Sequence, residues 1–223
     1  MQRFFDSVVS FVAIVILLPF LVPCAIVLIC TGEGDVLYRQ VRVGRGRIEF
    51  KVYKFATMLR NSAELPGGTL TLDNDIRVLK FGRFLRKSKI NELPQLFNVL
   101  RGDMSLVGPR PLVPSGEENY SLEKSSLIRS VRPGLTGIGS LILRDEEAFY
   151  SHRADAFDFY KKCISPYKEA LEVWYVHNIS PLLYLKILGL TAFAVIRPGF
   201  DPSVYFPGLP EFPKELIDSK NTR

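Results

Sequence analysis

The chain has 223 residues, of which 47% are hydrophobic, and a net charge of +6. That length buries one core and leaves little room for several domains. Cys24 and Cys30 lie in an apolar run and Cys163 stands alone in a polar region, which argues against a disulfide framework and fits a reducing compartment.

The first element is apolar. Residues Val8 to Cys30 carry no charge, and Phe4–Cys30 is long enough to cross a bilayer, which takes roughly 20 apolar residues. A signal peptide does not fit: the charged start is only Met1-Gln2-Arg3, and no small-x-small cleavage site follows. Pro19 and Pro23 each remove a backbone donor near the middle of the run. Basic residues flank both ends, Arg3 before and Arg39 onward, whereas a spanning helix concentrates them on one side. Kinked spans also exist, so the residues alone leave open a crossing helix and one that breaks and returns.

A basic cluster follows directly: Arg39, Arg42, Arg45, Arg47, Lys51 and Lys54. Its position favours anionic lipid or nucleotide phosphates. No aromatic interleaving of the single-strand-binding kind is present, so no nucleic-acid partner is expected. Val36–Gly44 alternates like a strand, Gly44-Arg45-Gly46 reads as a turn, and Ile48–Tyr53 as the partner strand of a hairpin. Pro66-Gly67-Gly68 marks a loop.

Ile76–Lys89 interleaves apolar residues with Arg77, Lys80, Arg83, Arg86 and Lys87, the pattern of a basic amphipathic helix. It suits a membrane interface and a surface helix over a core equally. Either placement lets Arg86 point toward the next segment. There Asn91 is suited to cap a helix with its side chain, Glu92 to follow at the first helical position, and Pro94 to sit in the first turn. A helix start of this kind is a ready phosphate site. The helix ends at Gly102, and Gly108-Pro109-Arg110-Pro111 brings an arginine back with its backbone fixed by prolines.

Leu141–Trp174 mixes acidic and aromatic residues and reads as helical in parts, with Pro166 opening a helix through His177. Pro181–Ile196 is apolar apart from Lys186 and short for a span. The tail from Arg197 is proline-rich and expected to be irregular. His152 and His177 lack zinc-like spacing.

The run from Lys89 to Pro111, with Tyr53-Lys54-Phe55 before it and Arg132-Pro133-Gly134-Leu135-Thr136-Gly137 after it, resembles the signature of the bacterial sugar transferases of the monotopic phosphoglycosyl transferase family. The resemblance covers Phe4 to about Ile196. It implies an α/β fold, mostly helical with a small β-hairpin, in a membrane-associated domain with interfacial amphipathic helices. Residues 1–34 would form a re-entrant helix-break-helix with its membrane break at Pro19 and Pro23, 35–200 the catalytic domain, and 201–223 an irregular tail. The implied reaction moves a sugar-1-phosphate from a UDP-sugar to polyprenyl phosphate, giving a polyprenyl-diphosphate-sugar and UMP, at the cytoplasmic face of the bacterial inner membrane. The implied cofactor is Mg²⁺, held by Glu92. The implied partners are the UDP-sugar, the polyprenyl phosphate and the inner leaflet, with a homo-oligomer left open. A non-catalytic relative that binds lipid or nucleotide-sugar is the alternative.

The resemblance matches the family's phosphate-binding positions to Lys54, Arg86, Arg110 and Arg144. It departs at Asn91, where most members carry a nucleophilic aspartate; a neutral amide is a poor nucleophile and no base. Three explanations stand: direct attack by the lipid phosphate, a nucleophile moved to Asp145 or Glu146, or an engineered trap. Tyr184 and Glu172 also stand where aspartates are common in the family.

Overall fold

The computed structural model describes residues 2–62, 65, 75–150, 153, 155–197 and 199–216. The loop expected at Pro66-Gly67-Gly68, His152 and the last residues of the tail lie outside the described residues.

The apolar run forms one helix, α1 (Gln2–Thr31), which continues through Pro19 and Pro23. The expected helix-break-helix is therefore not seen as an interruption. Each proline removes one donor, and the remaining ladder bonds of so long an apolar helix outweigh that loss. Its buried residues, Asp6, Ser10, Ile14, Leu21 and Leu28, form one stripe, while Phe4, Phe11, Ile16 and Phe20 on other faces are exposed. The stripe packs on the rest of the chain at both ends. Arg3 donates to the Val99 carbonyl and, at 2.6 Å, to the Leu100 carbonyl, and Leu21 and Leu28 pack with Phe55 and Leu85.

The hairpin forms as expected from β1 (Leu37–Val43) and β2 (Glu49–Phe55), antiparallel with Leu37 opposite Phe55 and Val43 opposite Glu49. The amphipathic helix is shorter than its pattern: α2 spans Lys80–Lys87. Its expected start pairs in extended form instead, with Met58 bridging Val78 and Leu79 N–H donating to the Thr57 carbonyl. Arg77 accordingly turns inward, 2% exposed, onto Asp75 at 2.6 Å.

A 3-10 turn, Ile90–Glu92, precedes α3 (Gln95–Arg101), which ends at Gly102 with φ 98°. Beyond it β3 (Ser105–Val107) pairs in parallel with β4 (Gly134–Thr136). Two short helices, α4 (Pro114–Glu117) and α5 (Leu122–Ile128), lie between these strands. Then come α6 (Ile138–Ile142), α7 (Glu147–Tyr150), α8 (Ala156–Phe159), α9 (Ser165–His177) and α10 (Pro181–Ile196). Pro166 stands in the first turn of α9, which runs to His177 as expected, and a π turn, Tyr160–Ile164, joins α8 to it without a gap. Ser180 caps α10 by accepting from Leu183 N–H at 3.2 Å.

The main core gathers Leu96 and Val99 of α3, Met104, Ile138, Leu171 and Ile187. Phe206 and Leu216 join it, and Phe206 meets Trp174 edge-on. The described part of the tail, expected to be irregular, holds a 3-10 turn at Ser203–Tyr205 and a helical turn at residues 214–216, and it is packed into the core because its aromatic and aliphatic side chains have apolar surface to cover.

Candidate active site

Three elements meet at the head of α3. Lys54 comes from the end of β2, Glu92 from the 3-10 turn, and Arg110 from the Gly108–Pro111 turn. Lys54 Nζ lies 2.7 Å from Glu92 Oε1, and Arg110 Nη2 lies 3.2 Å from the same oxygen. Asn98 sets this alignment. Its amide donates to the Lys51 carbonyl at 2.8 Å and its oxygen accepts from Tyr53 N–H at 3.0 Å, fixing α3 against the edge of β2.

Arg42 adds a further cation. It donates to the Pro111 carbonyl at 2.9 Å and to Gln40 Oε1 through Nε at 3.1 Å. Its charge is felt by Lys54, and Arg42 itself feels Arg110 and Glu92. The hairpin register puts Tyr38 opposite Lys54 and Arg42 opposite Phe50, so Arg42 and Lys54 share a face. Period-two counting on the two strands was the signal that could have found Arg42.

The electrostatics follow from burial and charge. Burial alone would raise the Glu92 carboxyl, but Lys54 and Arg110 together outweigh it and hold the group well below the usual carboxylate range. Burial brings the Lys54 ammonium down to about 8 against the opposing pull of Glu92. Burial, then the neighbouring Arg110, lowers the Arg42 guanidinium to about 10. Glu92 raises Arg110 further. Three cations thus surround one ionised carboxylate, which leaves the corner net positive and suited to an anion with several phosphate oxygens.

Asn91 does not cap α3. It is 7% exposed, its Oδ1 is buried with no hydrogen bond among the described residues, and the α3 cap position carries no side-chain bond. Lys89, at φ 61°, starts a 3-10 turn first. The helix-start donors are then met by backbone carbonyls three residues back: Leu96 N–H by Leu93, and Phe97 N–H by Pro94.

The other expected residues divide. Glu146 faces the corner electrostatically, adding to the field on Arg110, and pairs with Lys168 of α9 at 2.5 Å. Asp145 is exposed. Arg86 is drawn away from Glu92 and pairs with Glu147 at 3.7 Å. Arg144 is half-buried and makes no side-chain bond to the corner. Tyr184 donates to Asp6 of α1.

A magnesium ion fits this donor set in one manner. No group of three His, Cys, Asp or Glu side chains converges among the described residues. Glu92, however, is held in its ionised form by Lys54 and Arg110, and both of these cations use Oε1, leaving Oε2 without a hydrogen bond among the described residues. One carboxylate beside phosphate-binding cations is how Mg²⁺ is commonly held, with substrate phosphates and water completing its shell.

A family model described as bacterial sugar transferase matches residues 1–198. The chain belongs to the bacterial sugar transferase family. It is 34% identical over 189 residues to a UDP-N-acetylgalactosamine-undecaprenyl-phosphate N-acetylgalactosaminephosphotransferase of Aeromonas hydrophila, covering 84% of this chain and 41% of that protein. It is 36% identical over 196 residues to a UDP-glucose:undecaprenyl-phosphate glucose-1-phosphate transferase of Klebsiella pneumoniae, covering 86% and 39%. An exopolysaccharide production protein, PSS, of Rhizobium leguminosarum is 34% identical over 155 residues, 63% of this chain and 73% of that protein. The chain therefore spans about two fifths of the first two relatives. The residues matched by the family model, 1–198, include every residue of the corner.

Proposed function

We propose that this chain transfers a sugar-1-phosphate from a UDP-sugar to polyprenyl phosphate, releasing UMP and forming a polyprenyl-diphosphate-sugar. The observation that carries the reading is the corner of Lys54, Arg42 and Arg110 around the single ionised carboxylate of Glu92. Its membership of the sugar transferase family and its undecaprenyl-phosphate-using relatives support the same substrates.

Lys54 and Arg110 bind the oxygens of the donor diphosphate, with Arg42 adding positive field. Mg²⁺, when bound, neutralises phosphate charge beside Glu92. In phosphoryl transfer such positioning and charge stabilisation supply most of the catalysis. Asn91 has no nucleophilic oxygen, Asp145 is exposed to solvent, and Glu146 is paired with Lys168. The acceptor's phosphate oxygen therefore attacks the sugar-bearing phosphorus directly. The bond from that phosphorus to the bridging oxygen breaks, and UMP leaves with the electron pair.

The geometry of α1 supports action at one membrane face. A helix of 30 residues is about 45 Å long, and its two ends both touch the same body. The reading places the protein on the cytoplasmic face of the inner membrane, with the exposed apolar side of α1 in the lipid.

Asn91 favours one rival, a relative that binds nucleotide-sugar or lipid without turnover. The test is Mg²⁺-dependent UMP release from a panel of UDP-sugars, with Glu92→Gln and Asn91→Asp beside the wild type. Turnover by the wild type and a loss of about 100-fold or more in Glu92→Gln support the transferase. UMP release that needs the lipid acceptor supports direct attack, and release without it overturns that step. A silent wild type beside an active Asn91→Asp supports the rival.

A further inference from the structure

The turn that carries Arg110 is moulded by side chains from distant elements. Pro109 and Pro111 have no N–H, so Arg110 supplies the single amide donor of the three. That N–H donates to Glu172 Oε1, on α9, at 3.1 Å. The Pro109 carbonyl accepts from Gly134 N–H at 2.8 Å and the Pro111 carbonyl from Arg42 at 2.9 Å. The Arg110 carbonyl faces Arg129 Nη1 at 3.5 Å, and Arg129 is itself held by Glu117. Each backbone group around the guanidinium thus has a partner from another element.

Glu172 is the costly member of this set. It is 3% exposed, and its second oxygen is buried without a hydrogen bond among the described residues. A carboxylate buried behind one hydrogen bond is destabilising compared with an apolar side chain of similar size. The fold makes room for it: a Cβ on Gly139 would stand 2.6 Å from Glu172 Oε1. A bare α6 backbone there admits the carboxyl to the back of the turn.

We propose that Glu172 is a positioning residue that acts through Arg110, holding the Arg110 peptide so that its guanidinium stays on Glu92 and the donor phosphates. The catalytic part of this statement rests on the transferase reading, whereas the hold on the peptide does not. Arg129 steadies the other side of the same peptide.

The flanking prolines give a clean readout. Hydrogen exchange across Pro109–Pro111 reports one amide, that of Arg110. In Glu172→Leu that amide exchanges about 10-fold faster or more, because its acceptor is gone. In Glu172→Gln, which keeps a carbonyl acceptor, its exchange stays within about threefold of wild type. Gly139→Ala displaces Oε1 without changing its chemistry, and it mimics Glu172→Leu should the leucine variant fail to fold. Unchanged Arg110 exchange in both Glu172→Leu and Gly139→Ala overturns the proposal. The second arm is UMP release. The double variant Glu172→Leu with Arg110→Ala is no slower than Arg110→Ala alone, because the two act as one unit. Losses that multiply show a merely structural role and overturn the proposal. A wild type that releases no UMP counts against the transferase reading, and the exchange arm still decides whether Glu172 holds the turn.

Discussion

Asp6 of the apolar helix accepts a hydrogen bond from Ser105 Oγ at 2.9 Å, across 99 residues of sequence. The same carboxylate, 1% exposed, also accepts from Leu106 N–H at 3.1 Å and from the Tyr184 hydroxyl. One acid therefore joins α1, β3 and α10. Asp6→Ala leaves three buried donors without an acceptor and costs about 3 kcal/mol or more, at about 1–3 kcal/mol for each orphaned group. Asp6→Asn keeps one acceptor and costs less. Urea unfolding in detergent micelles measures both, and equal losses in the two variants would refute the role of the acceptor.

Asn98 is the hinge pin between α3 and β2, and it is fully buried. Asn98→Ala unpairs Tyr53 N–H and the Lys51 carbonyl, next to Lys54 in the chain. The expected cost is about 2–4 kcal/mol in stability. A KM for the donor raised more than kcat is lowered is expected as well, since Lys54 loses its register with Glu92. Steady-state kinetics at fixed acceptor separates the two effects.

The approach of the β3 and β4 ends depends on missing side chains rather than on unusual φ values. A Cβ on Gly137 would lie 2.1 Å from the Gly108 carbonyl oxygen, and one on Gly108 would lie 2.4 Å from the Arg132 carbonyl oxygen. Neither backbone can give way cheaply. Gly137→Ala is expected to cost about 3 kcal/mol or more and to move the Gly108–Pro111 turn off Glu92. Thermal unfolding and UMP release should fall together; a variant with wild-type melting would show that the two strands have slack.

Burial pushes the Glu172 carboxyl up to about 7 from an ordinary 4.5, against the pull of the Arg110 N–H and of Arg129, Lys168 and Arg110. Tyr120 and Tyr175 also feel its charge. The folded protein thus keeps a proton that the unfolded chain releases. This contribution to stability is complete below about pH 4.5 and is lost as pH rises through about 7. Glu172→Gln carries no such proton. The stability difference between wild type and Glu172→Gln is expected to shift against the wild type from pH 5 to pH 8. Paired denaturation curves across that range measure it, and a flat difference would place Glu172 among ordinary carboxylates.

Local patterns made several elements legible from residues alone. The apolar run became α1, and alternation became the hairpin. The Gly102 stop was legible too, whereas the roles of Lys54, Glu92 and Arg110 were implied by the family resemblance and not by a local period. Each legible element depends on neighbours a few residues apart, where helix and strand periods act. The placement of charges was less legible. Arg77 had the same pattern as Arg86, yet a nearby extended pairing turned it inward onto Asp75. Asn91 had the residue type of a cap, yet a 3-10 turn met the helix donors with backbone carbonyls.

By itself the sequence determined the apolar N-terminal helix, the hairpin and the family signature, and it supplied the basic residues from which the corner is drawn. Only the tertiary structure decided which charges meet. Arg42 joins the corner through strand register, Glu172 reaches the Arg110 peptide through a glycine gap in α6, and Asp6 ties α1 to β3 and α10 across almost the whole chain. The reason is physical. Secondary structure answers to local periodicity, whereas a buried charge is tolerated only where distant backbone and opposite charge converge to satisfy it.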